Sequence, residues 1–240
     1  MQASFVICFH SARLDNLLQT LRFLDNKHEL ITVCQDNFNF QTSWKHHKHF
    51  NMNLNEMSLP KLTNFGVEQA TNDKIVVLES DRILPNNYFD KVFEQLRPGI
   101  QITTKTMKKL KKPISDEDIL NENYDFRWEN RSEINLLGVR NTWSGNTAFM
   151  KDDFLKSGKM DETYVGYGWA DHDMTASMEK IGIKTLFLDD IELHLWHESL
   201  TYGQKDQKNL FFQNAVYFCR KWNQPLPEFI KQEMRQHMLL

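Results

Sequence analysis

The sequence predicts an α/β fold, with a central, mostly parallel sheet flanked by helices. Two features carry that expectation. Short apolar runs alternate with stretches of helical periodicity through the first third of the chain, and the third of these runs stops abruptly in acidic residues. Strand–helix repeats lay successive strands side by side in parallel, joined by right-handed crossovers.

Taken in order, "SFVICF" (Ser4–Phe9) is a strand and "LDNLLQTLRFL" (Leu14–Leu24) a helix with leucines at helical spacing. "ELITVC" (Glu29–Cys34) is the second strand, "LTNFGVEQA" (Leu62–Ala70) the second helix and "KIVVLE" (Lys74–Glu79) the third strand. Neither G-x-G-x-x-G nor G-x-x-x-x-G-K is present, so a dehydrogenase or P-loop enzyme loses its main support. "KHHKH" (Lys45–His49) reads as a surface stretch, because adjacent histidines in a lysine-rich loop rarely converge on one ion. Lys105–Glu133 is basic and then acidic, which predicts a solvated helix or surface loop, with a mobile flap over a site as the functional alternative. From "TWSGNTAFM" onward regular structure returns: a helix from Asp171 to Ile181, a strand pair around "KTLFLDDIELHLWH" and two C-terminal helices.

Composition narrows the class. The chain has 240 residues, 40% hydrophobic and 25% charged, with a net charge of −3, enough for a full core and with no bias toward nucleic acid as a partner. No stretch approaches the roughly 18 uninterrupted apolar residues of a membrane span. "MQASFVICFHSARLD" lacks the charged-then-apolar pattern of a signal peptide. Cys8, Cys34 and Cys219 are scattered, two of them inside apolar strands, which predicts buried free thiols in a reducing compartment. A soluble cytoplasmic protein is expected.

Glu79 and Asp81 pose the chemical question. Strand side chains repeat every two residues, so these carboxylates leave the strand end on one side while Ser80 points away. Two like charges held together are costly without a cation or proton between them. Ligands of open α/β sheets gather at the carboxyl ends of strands. The pattern suggests a hard divalent metal with positions left for phosphate; a solvated acidic turn before a helix explains these residues equally well.

Four stretches then add up. "VICFHSARLDNLLQTLRFL" with "LITVCQDN", "LTNFGVEQATNDKIVVLESD", "GKMDETYVGYGWADHDMTASMEKIGIKTLFL" and "LWHE" follow one another between Ser4 and Glu198. Together they resemble the GT-A-fold glycosyltransferases, in the family-2-like group with the galactosyltransferases, chondroitin polymerases and polypeptide N-acetylgalactosaminyltransferases. Three positions depart from the pattern: Glu79-Ser80-Asp81 stands at D-x-D, Thr63 where arginine is common, and Ala170 where glutamate precedes Asp171. The resemblance implies one GT-A domain over 1–240, with a nucleotide-binding half (1–104), an acceptor and metal-completing half (134–200) and C-terminal helices (201–240). It implies a UDP-sugar donor, a carbohydrate or other hydroxyl acceptor, and Mn²⁺ (or Mg²⁺) on the diphosphate. Transfer would be inverting with Asp171 as base; a retaining GT-A enzyme, or a sugar- or nucleotide-binding protein without turnover, are the alternatives.

The same resemblance distributes roles. Asp81 and His197 would hold the metal, with Glu79 acting through water or on the ribose and Ser80 beside it. Asp36 would read the uracil edge, though a polar turn residue fits it as well. Asn64 belongs to the donor-side helix motif. Arg13 can meet base or phosphate, or simply begin a helix at the surface. Gly145 and Asn146 would admit the donor sugar, and Trp143 and Trp169 can stack on sugar rings or fill the core. For Asp171 the plain alternative is a helix N-cap. Helical spacing puts it on the side of Met174, Thr175 and Met178, and leaves Asp173 exposed. Alternation along "IELHLWHE" puts Ile191, Leu193, Leu195 and His197 inward and Glu192 with His194 on a solvated face.

Overall fold

The computed structural model describes residues 2–131, 145–198 and 205–236. In chain order the elements begin β1 (Ser4–Phe9), α1 (Leu14–Arg22), β2 (Glu29–Cys34), β3 (His47–Asn51), α2 (Leu59–Gln69), β4 (Lys74–Glu79) and β5 (Arg82–Ile83). They continue with α3 (Tyr88–Gln95), β6 (Ile100–Leu110), α4 (Asp116–Leu120), β7 (Phe126–Arg131), β8 (Asn146–Met150) and α5 (Lys151–Lys156). The last are α6 (Ala170–Lys180), β9 (Lys184–His194), α7 (Lys205–Lys221) and α8 (Glu228–Gln236).

Among the described residues the strands form one nine-stranded sheet in the order β3-β2-β1-β4-β8-β6-β9-β5, with β7 paired to β6. The run β3-β2-β1-β4 is parallel, as the strand–helix repeats require, and β8 joins β4 antiparallel. β1 and β2 are buried at every position, which is why they read as unbroken apolar runs: helices cover both faces. Phe5, Ile7 and Phe9 face Leu17 and Leu21 of α1 and Tyr88 of α3, while Val6 and Cys8 face Leu62 and Val67 of α2 and Met174 and Met178 of α6. α2 lies so close that a Cβ at Gly66 would run into the Val6 side chain and sit 3.1 Å from Val33 Cγ2.

Two expectations about secondary structure are corrected. The basic part of Lys105–Glu133 is the outer half of the eleven-residue strand β6, and the acidic part holds the short α4 and then β7. The lysines had masked the strand, because their charged ends can be solvated while their backbones pair with β9 and β7. "KTLFLDDIELH" is one long strand, β9, where a strand pair was expected. "KHHKH" is not simply surface either. His47 and His49 leave the same side of β3, and both reach the Thr32 hydroxyl, at 2.8 and 2.9 Å. Burial and the neighbouring His49 push His47 down to about 4.

All three cysteines are free and buried. No helix among the described residues is long and apolar enough to cross a membrane.

Candidate active site

The acidic turn after β4 carries the chain from the middle of the sheet to β5, the last strand in its order. β5 is only two residues long, and its Arg82 and Ile83 pair antiparallel with His194 and Leu193. Beyond the ladder, Leu195 donates its N–H to the Asp81 carbonyl at 2.8 Å. This delivers two imidazoles to one carboxylate. His194 Nε2 lies 3.3 Å and His197 Nε2 3.0 Å from Asp81 Oδ2, and the two ring nitrogens are 2.9 Å apart.

Burial opposes ionisation of Asp81, yet the fields and hydrogen bonds of His194, His197 and Arg82 hold it well below the usual carboxylate range. Burial, with Arg82, pushes His194 down to about 4. A carboxylate beside neutral imidazole is a donor set suited to a divalent transition ion. The three ligand atoms lie within 4.8 Å of one another, and the buried Asp81 Oδ1 has no hydrogen-bond partner. The residues fit a metal.

Arg82, which no motif singled out, is the electrostatic floor of this site. It is 3% exposed, and its guanidinium bonds Glu79 through both Nε (2.8 Å) and Nη2. It also lies 3.3 Å from Asp81 Oδ1 and 3.3 Å from Glu192 Oε1. Burial pushes Glu192 up to about 7, against the pull of Arg82 and of its hydrogen bonds from Thr104 and Asn146.

A small pocket opens beside the turn, lined by Cys8, Thr63, Glu79, Gly145, Met160 and Asp171 among others. Thr63 therefore stands in the pocket wall, where the family pattern often has arginine. Asp171 sits in the first turn of α6, whose N-cap, Trp169, bonds nothing with its side chain. A helix N-terminus alone would favour the anion. Burial outweighs it, and with the negative field of Glu79 raises Asp171 from 3.8 to about 7. A carboxyl of that basicity can take up a proton at neutral pH.

The fold brings other expected residues to this side. Arg13 begins α1, where burial lowers its pKa against the opposing fields of Asp81 and Glu198. Asp36 follows β2. Partial burial opposes its charge, but hydrogen bonds from Cys34 and Ser11 hold it below the usual range. Its carboxylate accepts the Ser11 N–H at 3.0 Å, tying the β1–α1 loop to the β2–β3 loop.

Other residues sit differently from expectation. The end of β9 is covered on both faces: Leu193 and Leu195 are buried as expected, but Glu192 is fully buried too, His194 meets Asp81, and Ile191 is 38% exposed. The strand stops at His194, so alternation does not carry to His197, and both histidines reach the same oxygen. Trp169 is core, 2% exposed among Phe211, Phe218 and His172, and offers no platform to a sugar. Asn64 spends its amide on Met160 and Glu162, holding the 160–162 loop to α2. Asn146 is buried with Tyr88, Thr104 and Glu192. Gly145, at φ +108°, makes room for the protein's own charges: a Cβ there would strike Glu192 and lie 3.2 Å from Arg82 Cζ. Ser80 is buried, its carbonyl accepting from Thr20 at 3.1 Å, and so pins α1 to the turn. Trp143 lies outside the described residues.

Asp173 is also corrected. It is 1% exposed and accepts from Trp222 Nε1 (2.7 Å), Lys221 Nζ (2.8 Å) and the Tyr164 hydroxyl (3.2 Å). α7 covers the side of α6 that the spacing had left to solvent. Asp173→Asn should lower stability by about 1.5–3 kcal/mol, the range for hydrogen bonds to a charged group. The midpoint of urea unfolding measures it, and an unchanged midpoint would return Asp173 to the surface.

No protein-family model matches the sequence, and none of the curated proteins does. Solved structures do match in shape. GalNAc-T7 with UDP, GalNAc and Mn²⁺ superposes with a TM-score of 0.60 at 12% identity, over 92% of this chain and 48% of its own. S. aureus TarS 1–349 with UDP-GlcNAc gives 0.60 at 12% identity, over 91% of this chain and 67% of its own. A mutant Drosophila β1,4-galactosyltransferase 7 with manganese, UDP-Gal and xylobiose gives 0.53 at 14% identity, over 85% and 78%. The chain has the GT-A fold. It spans about half the length of the GalNAc-T7 chain it matches. Within the GT-A frame, Asp81 stands with His194, the last residue of β9, and His197 beyond it, while Glu79 of the same turn lines the pocket.

Proposed function

We propose that this chain is a metal-dependent glycosyltransferase that moves a sugar from a UDP-sugar to a hydroxyl acceptor with inversion, Asp171 serving as base. The observation that carries this reading is the Asp81–His194–His197 cluster, joined through the Glu79 turn to a pocket that ends at Asp171. GalNAc-T7, TarS and the Drosophila galactosyltransferase, which share the fold, were crystallised with UDP or UDP-sugars, two of them with manganese. That supports the same donor class and the same metal here.

Bound at this cluster, Mn²⁺ or Mg²⁺ would act as a Lewis acid toward the diphosphate. The protein supplies the remaining steps. Asp36 and Arg13 stand at the mouths of the first loops, placed to meet base or phosphate. Glu79, held by Arg82, presents a fixed carboxylate to the pocket. Asp171 takes the proton of the acceptor hydroxyl as its oxygen attacks the anomeric carbon, and the bond to the diphosphate breaks with its electron pair leaving on UDP.

Turnover of a UDP-sugar panel with Mn²⁺, compared with turnover in chelator, is the direct test. Absence of turnover alongside retained UDP binding would favour a binding protein. His194→Ala and His197→Ala should each weaken Mn²⁺ binding. The loss should be at least the roughly 10–100-fold that even an outer hydrogen-bond partner of a ligand contributes. Titration calorimetry with Mn²⁺ alone reads both, and a silent His194 would remove it from the cluster.

A further inference from the structure

We propose that Asn16, on α1, is a positioning residue for the metal centre, acting on His197 through the backbone. The inference rests on the metal reading above and adds a residue to it.

The two histidines reach Asp81 by different routes. His194 is the last residue of β9 and pairs with Arg82 of β5, so the sheet itself places it. His197 lies beyond the ladder, in a segment without regular structure, yet its imidazole comes to 3.0 Å from the same Asp81 oxygen. The strand alone does not aim it. Leu195 donates to the Asp81 carbonyl at 2.8 Å, which holds the start of the segment. The Trp196 ring packs against the cluster that includes Leu110, Ile119 and Leu195, which fixes where that residue sits. Neither contact fixes the plane of the peptide that follows. Asn16 does, because its Nδ2 donates to the Trp196 carbonyl at 3.2 Å. That carbonyl shares one rigid plane with the nitrogen and Cα of His197. Anchoring the oxygen therefore sets the direction in which the imidazole departs.

The same helix holds the other half of the centre. Asn16 and Thr20 are four residues apart and share a face of α1. Thr20 Oγ1 donates to the Ser80 carbonyl at 3.1 Å, one residue before Asp81. Arg13, on the same face, lies close enough to Asp81 and Glu198 to feel both fields. α1 is in turn bedded on the sheet through the buried Leu17 and Leu21. One rigid helix face thus spans the acidic turn and the segment after β9, and sets the gap between Asp81 and His197. Its value is to keep the ligands assembled before an ion arrives. Without the Asn16 bond the segment samples other orientations, and metal affinity falls with the fraction of time that His197 is in place.

The test is titration calorimetry with Mn²⁺ alone, on Asn16→Ala made in three backgrounds: the unchanged chain, His197→Ala and His194→Ala. Alanine is a better helix former than asparagine, so α1 is not weakened by the change. In the unchanged chain, Asn16→Ala should weaken Mn²⁺ by roughly 2- to 12-fold, the net worth of one neutral hydrogen bond. The loss should disappear in His197→Ala, where no imidazole is left to aim. It should persist in His194→Ala, whose remaining histidine still depends on it. Unfolding midpoints in chelator give a second readout. A lower midpoint with unchanged Mn²⁺ affinity overturns the proposal and leaves Asn16 as an ordinary tie between α1 and the segment. An equal loss of affinity in the His197→Ala background overturns it too. If the unchanged chain does not bind Mn²⁺, the metal reading itself falls, and the role of Asn16 with it.

Discussion

Asp171→Asn is expected to keep UDP affinity and to lose about 10²–10⁴-fold in turnover, the usual cost of removing a general base. Asparagine preserves the shape of the α6 turn but cannot accept the proton. A second readout separates base from helix cap. The folded Asp171 titrates near 7 where the free group would titrate at 3.8, so between those values the folded chain holds a proton that the unfolded chain has released. Stability must then fall as pH rises from about 4 to about 7, and the penalty persists above that. In chelator at pH 8, Asp171→Asn should therefore be more stable than the unchanged chain, by at most about 4 kcal/mol, with the difference vanishing near pH 4. Turnover by the unchanged chain should climb with pH through about 7 as Asp171 loses its proton. A variant with full turnover and no pH-dependent gain in stability would leave Asp171 as a cap only.

Arg82→Met should destabilise the protein by about 3–5 kcal/mol, the range seen when one partner of a buried ion pair is removed. Methionine fills much of the volume but leaves Glu79, Asp81 and Glu192 facing one another without a counter-charge. The loss should shrink under mildly acidic conditions, because Glu192 already sits near 7 and would protonate more readily once Arg82 is gone. Glu192→Gln in the same chain should recover part of the loss. Denaturant titrations of the single and double variants at pH 6 and 8 measure all three effects. A single variant as stable as the unchanged chain would show that the cluster carries no net interaction.

The first half of the fold was legible because its strands are buried on both faces and its helices carry plain apolar periodicity. Glu79 and Asp81 were legible for the same reason, since a core strand seldom ends in charge. What misled was burial supplied from far along the chain. Asp173 looks solvent-facing until α7 and Trp222, from the other end of the sequence, close over it, and the same C-terminal helices decide for Trp169 between sugar platform and core. Glu192 looks like a surface glutamate until Arg82, Thr104 and Asn146 are brought round it. His194 was missed because its face of β9 was read as solvated, whereas Asp81 and β5 cover it. Arg82 could have been suspected: an arginine directly after two carboxylates at a strand end has nearby charges to neutralise.

The turn before Asp171 has a consequence for how activity would be lost on heating. Gly166, Gly168 and Trp169 all take positive φ, and one amide on α7, Asn214 Nδ2, gathers the carbonyls of Val165 (2.9 Å), Tyr167 (3.4 Å) and Gly168 (3.3 Å). The left-handed Trp169 is an unfavourable backbone state that persists only while its surroundings impose it. The sheet does not impose it; α7 does. When α7 detaches, the turn can relax and carry Asp171 with it while β1, β2 and β4 remain paired. Inactivation would then precede the melting of the sheet, as a local opening of the C-terminal helices with its own smaller free energy. Amide exchange would show the backbone of the turn and of α7 becoming accessible together, ahead of the strands.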